Sequence, residues 1–175
     1  MHNFLPKQYY FIDQFDKKNI DKLKLNTGII YRNYTKKLDK NLILELKYYC
    51  KKRKLKFFFS NDFKVAHQLK LDGAYIPSFN TNFRHLNYQL RKNFIVLGSA
   101  HNIREIRIKE LQKINLIFLS SIFKKNKNYL GMNKFGNLKK ITKTEVIALG
   151  GVSKNNIKKL KLINCFGFAG ITYFK

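Results

Sequence analysis

Eight short apolar runs alternate with polar or amphipathic segments along this chain. The runs comprise residues 9–13, 28–34, 55–62, 73–78, 94–100, 116–123, 146–152 and 167–174. Continuous apolar runs of this length are typical of strands that are covered on both faces, as in a parallel sheet. Because several of the intervening segments carry apolar residues at helical spacing, the sequence predicts a repeated βα unit. Its expected helices include residues 82–93, a short one near 136–142, and residues 153–163 after the seventh run.

The number of units favours a closed barrel. Eight βα units make a TIM (β/α)₈ barrel, which typically needs about 250 residues, so a chain of 175 residues predicts a compact one. No helical segment follows the eighth run, and we expect the last helix to be missing or truncated. The alternative is an open doubly wound sheet, which usually has fewer strands. No linker divides the chain, so residues 1–175 are expected to form a single α/β domain.

Charge and composition narrow the class of protein. The chain has 36 Lys and Arg against 10 Asp and Glu, a net charge of +26, which suggests a phosphorylated ligand, an anionic membrane surface or nucleic acid. Nucleic acid is not the expected partner, because the basic residues are dispersed and no nucleic-acid motif is present; compositional drift explains the charge equally well. No run approaches the roughly 20 residues of a membrane helix.

The cellular location is predicted from two further features. The N-terminal segment lacks the continuous apolar stretch of a secretory signal. The two cysteines, Cys50 and Cys165, lie among apolar residues and outside any metal or redox pattern, which is typical of buried thiols in a reducing compartment. We therefore expect a cytoplasmic protein without a membrane anchor.

Glycines mark the ends of the last two runs. Gly150 and Gly151 follow the seventh run, and Gly170 precedes Ile171 and Thr172 in the eighth. In (β/α)₈ barrels, phosphate is often bound by the loops after the seventh and eighth strands. The glycines either let backbone N–H groups approach a phosphate or simply form tight turns.

Polar residues also follow the second and third runs. Arg32 is a cation within an apolar run; it either binds a phosphate with two hydrogen bonds or pairs with Asp13 or Asp62. Asn61 and Asp62 end the third run and are expected at the barrel mouth. Asp62 either binds Mg²⁺ together with ligand phosphate oxygens or caps the helix that follows it.

The fifth and sixth runs are followed by further candidates. Ser99 and His101 end the fifth run, and His101 is either an acid–base catalyst or a structural residue. After the sixth run, Lys124, Lys125 and Lys127 either clamp a diphosphate electrostatically or are simply solvated. The sequence contains no Ser-His-Asp order, zinc-ligand spacing or Walker loop, so those chemistries have little support.

The end of the sequence resembles a known family. "VIALGGV", followed by "NNIKKL" and "GFAGIT", is similar to the close of thiamine-phosphate synthases and their thiazole-tautomerase relatives. "IIYRNY", "FFFSNDFKVAHQLKLDGAYIPS", "LGSAHNIREI" and "LIFLSSIF" match in the same order, so the resemblance spans nearly the whole chain. It implies a TIM barrel that uses Mg²⁺ to join hydroxymethylpyrimidine diphosphate to thiazole phosphate, with release of diphosphate.

The resemblance also implies roles for individual residues. Arg32 matches a diphosphate-binding arginine. Asn61 and Asp62 match an Asn-Asp pair whose aspartate is a magnesium ligand, and Ser99 matches a serine beside the substrates. The matches to the thiazole-phosphate site are Gly151, Ile171 and Thr172.

Several positions depart from the family pattern. Tyr34 stands where a lysine is expected, Asn80 aligns near a second magnesium carboxylate, and the sequence 124–127 replaces a Thr-x-Thr-Lys loop. Two alternatives therefore stay open. One is a thiazole tautomerase-like isomerase, in which Ser121 replaces the expected histidine and His101 is the candidate base. The other is a catalytically silent barrel that binds phosphorylated ligands. A missing last helix would also be compatible with a homo-oligomer.

Overall fold

A computed structural model describes residues 5–35 and 37–174, which form a closed barrel of eight parallel strands. Each strand pairs with the next along the chain, and the eighth pairs with the first, with Gly170 opposite Tyr10. This confirms the predicted compact (β/α)₈ barrel and excludes the open sheet. The strands are β1 (Gln8–Ile12), β2 (Gly28–Tyr31), β3 (Lys56–Ser60), β4 (Gly73–Ile76), β5 (Ile95–Ala100), β6 (Leu116–Ser120), β7 (Val146–Leu149) and β8 (Gly167–Gly170).

Short helices cover the outside of the barrel. They are α1 (Lys17–Asp21), α2 (Lys40–Lys52), α3 (Phe63–Gln68), α4 (Ile103–Leu111) and α5 (Gly131–Lys140). Side chains of Asp16, Asp39, Asp62 and Asn102 accept backbone N–H groups at the starts of α1 to α4, which stabilises the first turn of each. Residues 171–174 form a turn, and within the described part of the chain no helix follows β8, as predicted.

The segment between β4 and β5 is not the predicted helix. Of residues 82–93, only Arg84–Asn87 are helical, as a single 3₁₀ turn. The side chain of Asn82 accepts the Arg84 N–H at 2.7 Å, and the Asn82 carbonyl accepts a hydrogen bond from Gln112, in the loop after α4. Because these partners replace the local hydrogen bonds of a helix, the rest of the segment is irregular.

The segment after β7 also differs from its prediction as a helix. Its regular part is a 3₁₀ helix over Ile157–Ile163, which begins after the turn around Asn156. The Asn156 side chain accepts the Ser153 N–H and donates to the Gly151 carbonyl, so the first residues of the segment are fixed as a turn. In contrast, α5 is longer than the short helix predicted near residues 136–142 and begins at Gly131.

Two apolar layers stabilise the barrel. Inside it, the rings of Tyr9, Phe11, Tyr75 and Phe118 pack edge to face, with the centroids of Tyr9 and Phe118 4.9 Å apart. Outside it, apolar side chains of the helices pack against the alternate strand residues. The packed interior leaves the open ends of the strands as the place for a ligand.

The described residues bear on two further predictions. None of their helices has the length and apolarity needed to cross a membrane. Both cysteines are free thiols, as predicted; Cys50 is buried, whereas Cys165, which was also expected to be buried, is only partly buried. Residues 1–4, which belong to the N-terminal segment considered for a secretory signal, lie outside the described residues.

Candidate functional site

The predicted site residues gather at the carboxyl ends of the strands. The apolar runs overestimated the strands, which end earlier: β2 ends at Tyr31, β3 at Ser60 and β7 at Leu149. Residues that the sequence placed inside strands therefore lie in loops at the barrel mouth, where their side chains or amides are available to a ligand. They are Arg32, Asn61, Asp62, Gly150, Gly151, Ile171 and Thr172.

The turn after β7 requires its two glycines. Gly150 and Gly151 have φ of 100° and 76°, values that other residues rarely adopt. A Cβ at Gly150 would lie 2.8 Å from the Cα of Ser121, and one at Gly151 would lie 2.6 Å from the Lys124 nitrogen. The Gly150 carbonyl also accepts the N–H groups of Phe123 and Lys124 at 2.8 and 3.1 Å. The glycine turn, residues 150–151, is thus packed directly against the loop after β6.

Backbone donors at the glycine turn and after β8 are available for an anion. Within residues 5–35 and 37–174, the amide N–H groups of Gly151, Ile171 and Thr172 donate to no protein acceptor, and all three residues are exposed. Unpaired N–H groups at the mouth of a barrel suit a phosphate. Gly170 differs, because a Cβ there would make only an ordinary contact, 3.5 Å from the Val152 carbonyl. Close packing does not require glycine at that position.

The Arg32 cavity, of about 220 Å³, lies beyond the ends of β1, β2 and β8 and is lined by Arg32 and Ile171. The structure thereby brings together two predicted site residues from opposite ends of the chain. The Arg32 guanidinium carbon lies 5.0 Å from the centroid of the Phe11 ring, a cation–π contact. Among the described residues, Arg32 forms no ion pair, so the predicted alternative of a pair with Asp13 or Asp62 is wrong.

The Asp62 cavity, of about 260 Å³, lies beyond β2 and β3 and is lined by Tyr34, Asn61 and Asp62. The hydroxyl of Tyr34 shares a hydrogen bond of 2.8 Å with that of Ser60. One carboxylate oxygen of Asp62 accepts the Val65 N–H at 2.9 Å. Asp62 is therefore the N-cap of α3, the structural role considered for it, and its second oxygen is in none of the hydrogen bonds within the described residues.

Around Asp62 the described residues offer a magnesium ion a single carboxylate, one oxygen of which already caps α3. Mg²⁺ prefers oxygen ligands and is usually bound by one or two carboxylates together with substrate phosphates. Asn80 carries no charge, and its side-chain N–H donates to the Asn61 Oδ1 at 2.9 Å, so that oxygen is occupied. Within the described ranges, no three side chains of His, Cys, Asp or Glu cluster so that they could hold a metal ion. Asp62 as a magnesium ligand stays a prediction.

Ser99 and His101 have different surroundings. Ser99 is buried, and its side chain is hydrogen-bonded to the phenol of Tyr75 inside the barrel; burial raises the pKa of Tyr75 well above its usual value. Glu105 accepts both the backbone N–H and the Nδ1 of His101, each at 2.8 Å. This fixes the imidazole at the start of α4, the structural role considered for it.

The loop after β6 is closed at its base and charged at its tip. Ser121 accepts the Leu130 N–H and donates to the carbonyls of Asn128 and Lys124, all at 2.8 Å. Lys124, Lys125 and Lys127 are exposed, and among the described residues none of the three lysines forms an ion pair. Neither Lys125 nor Lys127 lines the Arg32 cavity or the Asp62 cavity.

Sequence reasoning missed several residues of this region. Asp16 and Asn19 line the Arg32 cavity, and Lys37 lines the Asp62 cavity; no local pattern distinguishes them from other polar residues. Lys109 is fully buried beneath the loop that contains Asn80. Lys109 lies three residues after Ile106 of α4, and residues at this spacing share one face of a helix. The sequence could therefore have predicted that Lys109 lies on the buried face.

Comparison with known proteins finds relatives that belong to one family. The sequence model of a family described as thiamine monophosphate synthase matches residues 23–174. The thiamine-phosphate synthase of Methanococcus vannielii is 24% identical over 120 residues, which are 66% of this chain and 58% of that protein. The thiamine-phosphate synthase of Fusobacterium nucleatum is 24% identical over 133 residues, 74% of this chain and 65% of that protein. The chain thus spans less than two thirds of the length of these two relatives.

Solved structures support the fold. Thiamine phosphate pyrophosphorylase from Pyrococcus furiosus superposes with a TM-score of 0.76 at 16% identity, over 97% of this chain and 87% of that one. At such low identity the superposition establishes the barrel, and the family model over residues 23–174 establishes the relationship. This chain belongs to the thiamine monophosphate synthase family.

Proposed function

We propose that this protein joins hydroxymethylpyrimidine diphosphate to thiazole phosphate at the barrel mouth and releases thiamine phosphate and diphosphate. The observation that carries the proposal is the set of unpaired backbone amides of Gly151, Ile171 and Thr172. Ile171 also lines the Arg32 cavity, which puts a cation beside these donors. Membership of the family supplies the reaction, and the site supplies groups suited to two phosphorylated substrates.

The thiazole phosphate would bind to the amides after β7 and β8. Of these donors, Gly151 belongs to the turn that packs against the loop after β6, so its amide needs little reorganisation when the anion arrives. Binding there would orient the thiazole nitrogen toward the centre of the mouth. Positioning of this kind supplies much of the rate enhancement when two substrates must meet.

The diphosphate of the pyrimidine substrate would bind to Arg32, whose planar guanidinium can donate two parallel hydrogen bonds. The bond between the pyrimidine methylene carbon and the diphosphate oxygen breaks, and its electron pair leaves with diphosphate. The lone pair of the thiazole nitrogen then forms the new carbon–nitrogen bond. Positive charge from Arg32, and from the exposed Lys125 and Lys127 of the loop after β6, would stabilise the departing anion.

The tautomerase alternative has less support. His101, its candidate base, is held by Glu105 through the ring Nδ1 and the backbone amide. Ser121, which stands where the family's relatives place a histidine, donates its hydroxyl to the Lys124 carbonyl and is a poor base. For the cellular setting we propose the cytoplasm, because the free thiols Cys50 and Cys165 are typical of a reducing compartment.

The proposal is tested by measuring whether the purified protein forms thiamine phosphate. Purified protein is incubated with hydroxymethylpyrimidine diphosphate, thiazole phosphate and Mg²⁺, and the product is measured by chromatography. Arg32→Met should lower the rate by about tenfold or more, since a hydrogen bond to a charged group contributes roughly 1.5–3 kcal/mol. Arg104→Met is the matched control, because Arg104 is an exposed arginine of α4 away from both cavities.

Each outcome discriminates between the candidates. Product that depends on Arg32 supports the synthase. A folded sample that binds thiazole phosphate but forms no product would reject the synthase and leave a phosphate-binding barrel. Turnover of the thiazole alone, without any pyrimidine substrate, would favour the isomerase.

A further inference from the structure

Two asparagines connect the loops after β3 and β4. The side-chain N–H of Asn80 donates to the Asn61 Oδ1 at 2.9 Å, and we call this contact the amide bridge. Asn61 has a left-handed backbone, with φ of 64°, and the Oδ1 of Asn80 accepts the Asn82 N–H at 3.0 Å. Both polar atoms of the Asn80 side chain are therefore engaged, and the two loops are joined by a hydrogen bond between neutral groups.

A buried cation fixes the backbone at one end of the amide bridge. The Lys109 Nζ donates to the Asn80 carbonyl and to the Gln112 Oε1, both at 2.8 Å. Gln112 donates in turn to the carbonyls of Asn80 and Asn82, at 3.1 and 2.8 Å. Lys109 is completely buried, and Gly98 makes room for it, because a Cβ there would lie 2.9 Å from the Lys109 Cδ.

The hydrogen bonds of Lys109 fix the position of the loop after β4. Burying an ammonium group costs free energy unless the group is hydrogen-bonded. The bonds to the Asn80 carbonyl and to Gln112 meet that requirement, and they fix the loop after β4 where its Asn80 amide meets Asn61. Lys109 is thus a positioning residue that acts through Asn80.

The same contacts disfavour a divalent cation between the two loops. A metal ion would need oxygens from both sides. On the β3 side, Asn61 Oδ1 faces an N–H donor and Asp62 Oδ1 faces the Val65 N–H, which leaves the second oxygen of Asp62. Asn80 presents its amide N–H toward Asn61, and the Lys109 ammonium lies behind the Asn80 carbonyl. On the β4 side, donor groups and a positive charge therefore stand where a cation would need acceptors and negative charge.

We propose that the amide bridge and the Lys109 ammonium organise the loops after β3 and β4 in place of a divalent cation, so that this protein binds a diphosphate without Mg²⁺. The identity of the ligand as a diphosphate rests on the proposed function, whereas the organisation of the loops is argued from the hydrogen bonds alone.

The test uses inorganic diphosphate as the probe, with binding measured by calorimetry in EDTA and in Mg²⁺. The wild-type dissociation constant should agree within about twofold between the two buffers. Asn80→Asp places a second carboxylate opposite Asn61, which precedes Asp62 in the chain, and should make diphosphate binding depend on Mg²⁺. Asn82→Asp is the matched control, because it adds the same charge to the same loop at a residue whose side chain accepts the Arg84 N–H.

Lys109 is tested in the same assay. Lys109→Met should weaken diphosphate binding in EDTA by about tenfold, and Lys109→Arg should restore part of it. Lys113→Met, at an exposed lysine just after α4, should leave binding unchanged. A loss of thermal stability in Lys109→Met with unchanged affinity would reduce Lys109 to a structural residue and contradict its positioning role.

Wild-type binding that requires Mg²⁺ would overturn the proposal. Failure to bind diphosphate in either buffer would instead reject the proposed function. In that case the midpoint of thermal unfolding, measured with and without Mg²⁺, still decides the organisation of the loops. An unchanged wild-type midpoint supports the amide bridge, and a midpoint that rises with Mg²⁺ contradicts it.

Discussion

The two sides of the barrel mouth are built from different chemical groups. After β7 and β8 the candidate ligands are backbone amides, presented by a glycine turn that packs against the loop after β6. After β2, β3 and β4 the candidate ligands are side chains, among them Arg32, Asn61 and Asp62, and each is set by its own neighbours. The geometry of the amide side depends on the backbone φ angles and on the space around the glycines. The properties of the side-chain side depend on the charges and hydrogen-bond partners of its residues.

The two sides respond differently to substitution. An amide site persists as long as the backbone keeps its path, whatever side chains surround it. A side-chain site changes its charge with a single substitution, while the fold stays the same. Under the proposed function, the amide side would bind phosphate generally, and the side-chain side would determine which phosphorylated substrate reacts.

The largest effect is expected on the amide side, from Gly150→Ala. The left-handed φ of 100° costs roughly 1–3 kcal/mol for a residue with a Cβ. The overlap with Ser121 adds about 1–3 kcal/mol of overpacking. The free energy of unfolding, measured with urea, should therefore fall by about 3 kcal/mol, and binding of thiazole phosphate should be lost with the turn.

Gly170→Ala is the matched control for that substitution. Its Cβ would make an ordinary contact of 3.5 Å with the Val152 carbonyl, and a strand position does not penalise alanine. The unfolding free energy should change by less than about 1 kcal/mol. Equal losses in Gly150→Ala and Gly170→Ala would show that the glycine turn is not set by φ and close packing.

The next largest effect is expected in the side-chain region, where the titration of Lys109 makes the free energy of unfolding depend on pH. Burial lowers the pKa of Lys109 to about 8, whereas a lysine in an unfolded chain titrates near 10.4. Between these pH values the unfolded chain binds more protons than the folded one, so the free energy of unfolding rises with pH. The full rise is about 3 kcal/mol, at roughly 1.4 kcal/mol for each pH unit.

The measurement is urea unfolding of wild type and Lys109→Met from pH 7 to pH 10. Burial raises the pKa of Cys50 to about 12, which works in the opposite direction above pH 9, but this group is common to both proteins and cancels in the difference. The difference in unfolding free energy should shift in favour of the wild type as pH increases. A difference that stays constant across this range would mean that the buried ammonium keeps its proton.

The sequence was sufficient for the barrel because the barrel depends on local patterns. Eight continuous apolar runs predict eight strands, and their parallel order follows from the helical segments between them. The predicted helix over residues 82–93 failed because its decisive contacts are distant. Gln112 lies 30 residues beyond Asn82, whose carbonyl it binds, and no local pattern announces such a partner.

The distinction between local and distant contacts also explains which parts of the candidate site could be predicted. The glycine turn and the two alternatives for Asp62 could be predicted, since turns and N-caps involve residues a few positions apart. The partners of Tyr34 and Asn80 could not. Tyr34 and Ser60 are separated by 26 residues, Asn61 and Asn80 by 19, and Asn80 and Lys109 by 29. Only the closed barrel brings these pairs together.

The smallest effect separates the two roles considered for Asp62. Asp62→Ala removes the acceptor of the Val65 N–H and should lower the free energy of unfolding by about 1 kcal/mol. Asp62→Asn keeps an acceptor at the N-cap, so its loss should be only a few tenths of that amount. In EDTA, Asp62→Asn should bind inorganic diphosphate at least as tightly as the wild type, because it removes a negative charge near the anion.

Urea unfolding and calorimetry on the two variants complete the comparison. Equal destabilisation by alanine and asparagine would contradict the N-cap, because asparagine preserves that hydrogen bond. A loss of diphosphate binding in Asp62→Asn that appears only in the presence of Mg²⁺ would assign the carboxylate to a metal ion and contradict the cation-free organisation of the loops. Retained binding in both buffers would leave Asp62 with the capping role alone, and would make Arg32 the principal charged group on the side-chain side of the mouth.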